Sequence, residues 1–255
     1  MHFLDSHTHL DHCKPDPAAL VAAAAAVGVD TIIQSGTDAE SSRLAVELAE
    51  RFPGVWATVG FHPHDAKELD EAGARAIESL AAHPRVVAVG EAGLDYHYDH
   101  SPRERQLEAF EWHVQVAAEA GLPLVVHTRE ADEQTLDLLA RTAGDLTVVL
   151  HCFSMTDRLD EVLARGYYLS FAGNVTFPKA TAIQAAARAA SADRLLLETD
   201  APYLTPVPRR GRPNTPAMVA HTYEFVAALR GEGVEELARA VLGNATRAFP
   251  RLRIP

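Results

Sequence analysis

The sequence predicts an α/β protein of the TIM-like (β/α)₈ barrel class, with its site at the C-terminal ends of the strands. Three observations carry that prediction. Short apolar runs alternate with longer amphipathic ones from end to end. About eight of each fit into 255 residues, the size such barrels commonly have. Finally, His, Asp and Glu recur where the apolar runs stop, and barrel enzymes place their chemistry at that end of their strands.

The strand candidates are Phe3-Leu4, Thr31-Ile33, Val55-Val59, Val86-Val89, Leu124-Val126, Thr147-Leu150, Tyr167-Leu169 and Leu195-Leu197. Most are apolar throughout, as strands covered on both faces are. The Ala-rich run from Ala18 to Val27 reads as helix and is too short to span a bilayer. Ser101 is placed as an N-cap, with Pro102 at the first helical position and Glu104 completing a capping box. The helix that follows repeats Leu107, Phe110, Val114, Ala117 and Ala118 at helical spacing. Gly121 then ends it and Pro123 opens the next strand, while Gly28 and Gly166 mark two similar helix-to-strand joints. The competing architecture, an open doubly wound sheet, usually carries a Gly-rich phosphate loop after its first strand. Here that place holds His7-Thr8-His9. No linker or repeat divides the chain, so residues 1–255 are expected to form one domain. The Pro/Arg-rich segment Pro206–Pro216 is its one long loop.

A formal net charge of −12 argues against a general nucleic-acid coat protein, which needs clustered positive charge to neutralise phosphates. It does not exclude a nuclease, because bound cations can supply positive charge locally. Two cysteines, Cys13 and Cys152, make no disulfide framework. The chain opens directly into a strand-like segment rather than a signal peptide, and a cytoplasmic, monomeric protein with no membrane association is expected.

The chemistry is read from position. Asp5, His7 and His9 alternate with Ser6 and Thr8, which puts all three on one face of a strand. His62 and His64 follow the Val55-Val59 run, and Glu91 follows Val86-Val89. His127 and His151 end two further strands, and Glu198 and Asp200 end the last. Any one of these alone is more simply a hydrogen-bonded core or loop residue. Gathered at one end of successive strands they would be costly to bury unless paired or bound to cations. Imidazoles mixed with carboxylates suit divalent zinc, manganese or magnesium. The set exceeds one tetrahedral site but fits two ions sharing a carboxylate, with positions open for water and substrate. Cys152, next to His151, is expected to face away.

These stretches resemble the TatD-type metal-dependent deoxyribonucleases of the amidohydrolase superfamily. The matching motifs are DSHTHLD (Asp5 to Asp11), GFHPH (Gly60 to His64), GEAGLDY (Gly90 to Tyr96), GLPLVVHTR (Gly121 to Arg129), HCFS (His151 to Ser154) and ETDAPYL (Glu198 to Leu204). They fall in family order along nearly the whole chain. The resemblance implies that His7, His9, Glu91 and Asp200 hold one ion, and Glu91, His127 and His151 the other. It makes Asp200 the acid/base, with Glu91 beside it in the catalytic centre, and places His62 and His64 against substrate phosphates or a further ion. Arg129 is a further candidate for touching phosphate, and Asp5 and Glu198 for orienting the ligand histidines. The chain departs from the family at Met155, where Gly follows HCFS, and at Thr215, where a Glu is usual. Arg209, Arg210 and Arg212 are either solvated loop or a backbone contact, and Asp95 either structural or catalytic. His12, His83, His97, His100, His113 and His221 are taken as surface or packing residues.

Three functions follow as expectations. The first, resting on the resemblance, is a 3′-5′ exonuclease on single-stranded or damaged DNA, with a role in DNA repair and a water activated between two metals. The second keeps the site but cleaves an ester, as in a D-aminoacyl-tRNA deacylase. The third is a metal-stabilised binding protein without turnover.

Overall fold

A computed structural model describes residues 2–254. Eight parallel strands form one sheet in the order β1 to β8: Phe3–Thr8, Val29–Ser35, Val55–Val59, Val86–Asp95, Leu124–Arg129, Val148–Leu150, Tyr168–Phe171 and Leu195–Leu197. Sequential parallel pairing requires a crossover between every pair of strands. A helix lies in each of these: α1 Pro17–Ala26, α2 Ala39–Arg51, α3 Glu71–Ala81, α4 Arg103–Ala120, α5 Asp132–Thr142, α6 Leu159–Ala164 and α7 Thr181–Ala189. After β8 come α8, Val219–Arg230, and α9, Val234–Ala248. The ring is nearly closed. Beyond the last strand, Asp200 N–H donates to His7 O at 3.0 Å and His9 N–H to Ala201 O at 2.8 Å, stitching β8's continuation to β1. The sequential order excludes the doubly wound alternative, whose strand order reverses at a switch point.

The helices pack as their patterns dictate. In α4 the buried face is Gln106, Ala109, Phe110, His113, Val114, Val116 and Ala117, while Leu107 is only half-buried and Ala118 exposed. Gly121 ends it in a left-handed conformation, its N–H directed at the Ala117 and Ala118 carbonyls. Several expectations need correction. Ser101 does not cap α4, which starts from Pro102 without a side-chain cap. Its hydroxyl instead donates to His64 O at 2.6 Å and accepts from Lys67 N–H at 3.1 Å. Thr147 and Tyr167 lie just outside their strands. β4 runs on to Asp95 by pairing with β5 as far as Asp95–Arg129, so Glu91 lies within a strand and not after one. His113, by contrast, is the packing residue it was taken for: fully buried, it accepts Phe61 N–H at Nε2 and donates from Nδ1 to Ala109 O.

Candidate metal centre

The centre forms where β1, β4, β5, β6 and β8 end, around the buried carboxylate of Glu91. β4 carries it there through a register shift between Val89 and Ala92. Two glycines of that stretch are required by contact and by conformation. Gly93 has φ +144°, and a Cβ on it would sit 2.0 Å from His127 O; Gly90 has φ +127°, and a Cβ there would meet Val125 O at 2.4 Å. Only glycine lets β4 press this closely on β5, and the pressing sets His127.

The two oxygens of Glu91 have different neighbours. Oε2 lies 3.1 Å from His7 Nε2 and 3.6 Å from His9 Nε2, and His9 Nε2 in turn lies 3.5 Å from Asp200 Oδ1. Oε1 lies 2.9 Å from His127 Nδ1, 2.8 Å from His151 Nε2 and 3.4 Å from His62 Nε2. The residues named from the motifs thus gather as two groups sharing one carboxylate. Donors each about 2.1 Å from a common ion, at right to tetrahedral angles, stand roughly 3.0–3.4 Å apart, close to this spacing. Three sets have all their ligand atoms within 4.8 Å of one another: His7, His9 and Glu91; His62, Glu91 and His127; and His7, His151 and Glu198. Two buried atoms of the centre, His9 Nδ1 and Glu198 Oε2, have no hydrogen-bond partner among the described residues. The donor set fits divalent cations.

Electrostatics prepares the same set. Burial alone would protonate Glu91, but the imidazoles of His151, His62, His7 and His127 outweigh it and hold the carboxyl well below the usual range. Asp200 is lowered likewise, burial being outweighed by His9 and His151. Burial pushes His62 down to about 4 and, with His151 alongside, lowers His7. His151, His9 and His127 move the other way: burial is overcome by Glu91 and Glu198 at His151, which is raised well above the ordinary imidazole value, by Asp200 and Glu91 at His9, and by Asp95 and Glu91 at His127. Ionised carboxylates and neutral imidazoles are the forms that bind cations, and the proton on His151 occupies charge a cation would replace.

The supporting contacts hold some surprises. Glu198 Oε1 accepts from Cys152 N–H at 2.8 Å and lies 3.2 Å from His151 Nδ1, orienting that ring. Asp5 touches no imidazole. Its carboxylate accepts Thr199 N–H at 2.8 Å and the Thr199 hydroxyl at 2.5 Å, and reaches only the backbone N–H of His7, at 3.4 Å. It therefore fixes the segment that carries Asp200. Cys152 does not face away: with φ +44° it has left the strand, where alternation no longer applies, and it lines the cavity above the centre. His12 and His100 line that cavity as well. Arg129 is exposed on its wall, its guanidinium 4.7 Å above the Tyr98 ring. Arg209, Arg210 and Arg212 are not in the wall; Arg210 lies over Phe177 and Arg209 donates to His221. Met155 is fully buried and Thr215 half-buried, and neither faces the cavity.

Sequence reasoning left Asp95 undecided and missed Ser35 and Asn214. One Asp95 oxygen lies 3.0 Å from His64 Nε2 and 3.2 Å from His127 Nε2. The other accepts the backbone N–H groups of His97 and Tyr98. Burial notwithstanding, His127 and the Tyr98 amide hold Asp95 ionised, so it anchors the far side of His127. Ser35, at the end of β2, does the same for His7, Oγ to Nδ1 at 3.1 Å. Asn214 donates to Thr199 O at 3.0 Å and to Tyr203 O, bracketing Asp200. A polar residue at a strand's end was the signal available for Ser35; Asn214 lies in a loop and offered none.

A parallel eight-stranded barrel with imidazoles and carboxylates converging at one end defines the class of metal-dependent barrel hydrolases. The model of the family described as TatD related DNase matches residues 4–250, and the chain belongs to that family. It is 40% identical to a Mycobacterium tuberculosis protein named as an uncharacterized metal-dependent hydrolase TatD, over 96% of this chain and 97% of that one. It is also 40% identical to the 3′-5′ ssDNA/RNA exonuclease TatD of Musicola paradisiaca, over 92% of each. The crystal structure of the TatD homologue YjjV from Escherichia coli superposes with a TM-score of 0.91 at 29% identity, over 99% of this chain and 98% of that one.

Proposed function

We propose that this chain is a divalent-metal-dependent 3′-5′ exonuclease acting on single-stranded or damaged DNA. The observation that carries the reading is the division of Glu91 between two groups of nitrogen and oxygen donors. His7, His9, Glu91 and Asp200 would hold one ion, and Glu91, His127 and His151 the second. Ions of this kind, when bound, lower the pKa of a coordinated water and stabilise charge on phosphoryl oxygens. The protein's own residues do the rest. Asp200, kept ionised beside His9, accepts a proton at a carboxylate oxygen. Arg129, exposed on the wall, meets a phosphate from the side away from Glu91. Asp95 and Ser35 keep the rings of His127 and His7 from turning. The wall encloses a cavity of about 770 Å³, room for a nucleotide. The name borne by the Musicola relative supports the polarity and the single-stranded substrate.

The test uses metal-stripped protein, 5′-labelled single-stranded DNA, and magnesium, manganese or zinc restored separately. The expected result is a metal-dependent ladder shortening from the 3′ end. Asp200→Asn, which keeps a side chain tolerant of φ +52° at that position, should lower the rate by about 10²- to 10⁴-fold with the fold intact. An undiminished ladder in that variant would sink the proposal. Preferential cleavage of D-aminoacyl-tRNA under the same ion would move it to the ester.

A further inference from the structure

Two tyrosines are the most exposed large apolar side chains among the described residues, Tyr203 at 55% and Tyr98 at 50%. Both line the cavity, whereas the exposed aliphatic residues Val27, Leu44 and Val207 do not. They stand on opposite flanks of Glu91. Tyr203 lies 6.4 Å from the ring of His9, on the Asp200 side. Tyr98 lies 5.5 Å from the ring of His64, on the Asp95 and His127 side. Tyr98 is also stacked on His100, with centroids 5.4 Å apart and planes 12° from parallel. The Arg129 guanidinium lies 4.7 Å from the Tyr98 ring centroid, so this flank presents a stacked group of His100, Tyr98 and Arg129 rather than a bare tyrosine face. Neither hydroxyl has a hydrogen-bond partner among the described residues, so neither ring is held out to serve as a polar strut. We propose that Tyr203 and the Tyr98–His100 stack are posts on which the unpaired bases at the 3′ end of a nucleic acid strand stack, one on each flank of the centre. This rests on the nucleic-acid reading of the substrate.

Charge makes the posts necessary. With a net charge of −12 and one arginine in the cavity wall, the protein's own side chains offer phosphates little attraction. Stacking works for any base, because every base has a π face. It also requires bases that are not already paired. A duplex end would have to fray to reach both posts, so the pair selects for single strands and for the loose end of a damaged one.

The test is made on the metal-loaded Asp200→Asn protein, with a short oligothymidylate ending in 2-aminopurine, whose fluorescence falls on stacking. Binding should quench the probe. Tyr203→Ala and Tyr98→Ala should each weaken binding about tenfold and reduce the quench, while the Phe variants retain both. On a strand ending in two abasic residues, the Ala variants should bind as the parent does. In the cleaving background the same changes should raise KM and leave kcat nearly unaltered. Ala variants that quench like the parent, or that lose equal affinity for the abasic strand, would overturn the stacking. If Asp200-containing holoenzyme cleaves strands but ignores both tyrosines, the stacking falls and the nuclease reading stands. Holoenzyme that neither binds nor cleaves any strand removes both.

Discussion

The two ends of the barrel use buried and half-buried charge in opposite ways. At the N-terminal end, Arg251 donates to Ala81 O at 2.8 Å and to the carbonyls of His83, Val86 and Ala120. Arg85 donates to Ala49 O, Phe52 O and Pro53 O and lies 3.9 Å above the Trp56 ring. Of these carbonyls, those of Ala49, Ala81 and Ala120 lie in the last turns of α2, α3 and α4, where the helix dipole favours a cation. Both guanidinium groups are answered by neutral oxygens. At the other end, imidazoles and carboxylates face one another, and buried atoms of His9 and Glu198 go without partners. At the first end the two arginines are satisfied and serve the fold. The other end is left wanting a cation, and serves chemistry.

That contrast can be broken at named places. The largest effect is expected at the junction of fold and site. Gly93→Ala drives a methyl group into His127 O, and a displacement near 1 Å at a catalytic group costs about 10²-fold in kcat/KM. Steady-state kinetics together with bound-metal analysis would show it; unchanged kinetics would mean that β5 yields without moving His127. Asp95→Asn should weaken metal binding by about 10- to 100-fold, read by competition with a chelator, with a smaller loss of stability. Arg251→Met should do the reverse, lowering unfolding free energy by about 3 kcal/mol in urea titration while kcat/KM of the folded protein stays within about twofold. A kinetic defect in that variant would erase the division between the ends.

The smallest effect is a pH dependence. Burial holds His113 near 4, against an ordinary value of 6.5, so it is neutral in the fold while the unfolded chain protonates. Its contribution is present above pH 6.5 and is lost as the pH falls toward 4. Between pH 7.5 and 5.5 the loss should be about 1 kcal/mol, and His113→Gln should flatten that part of the profile. Parallel profiles for the two proteins would rule His113 out as its source.

Much of this was legible beforehand because strands buried on both faces announce themselves as apolar runs. A polar residue where such a run stops is then conspicuous, and His7, His127, His151 and Asp200 were found that way. Alternation failed once the strand ended: Cys152 turned into the cavity because its backbone had entered the left-handed region. Asp5 was misread because alternation fixes a side chain's face but not its partner, which is Thr199 in a distant segment. Ser101 looked like a cap because local spacing cannot show that its hydroxyl is claimed by His64 and Lys67. Asn214 and Tyr203 acquire meaning only from the segments they pack beside, and Tyr98 only from the cavity that it and His100 line.

The seam between β8 and β1 has a consequence for how the protein is made. The donors on one side of Glu91 come from the first strand and from the residues just past the eighth, joined through Asp200 N–H and His7 O. A nascent chain on the ribosome therefore holds only part of that set until its last strand has emerged. A hydrolase so arranged stays disarmed throughout its own synthesis, and any proteolytic fragment that loses either strand is disarmed again.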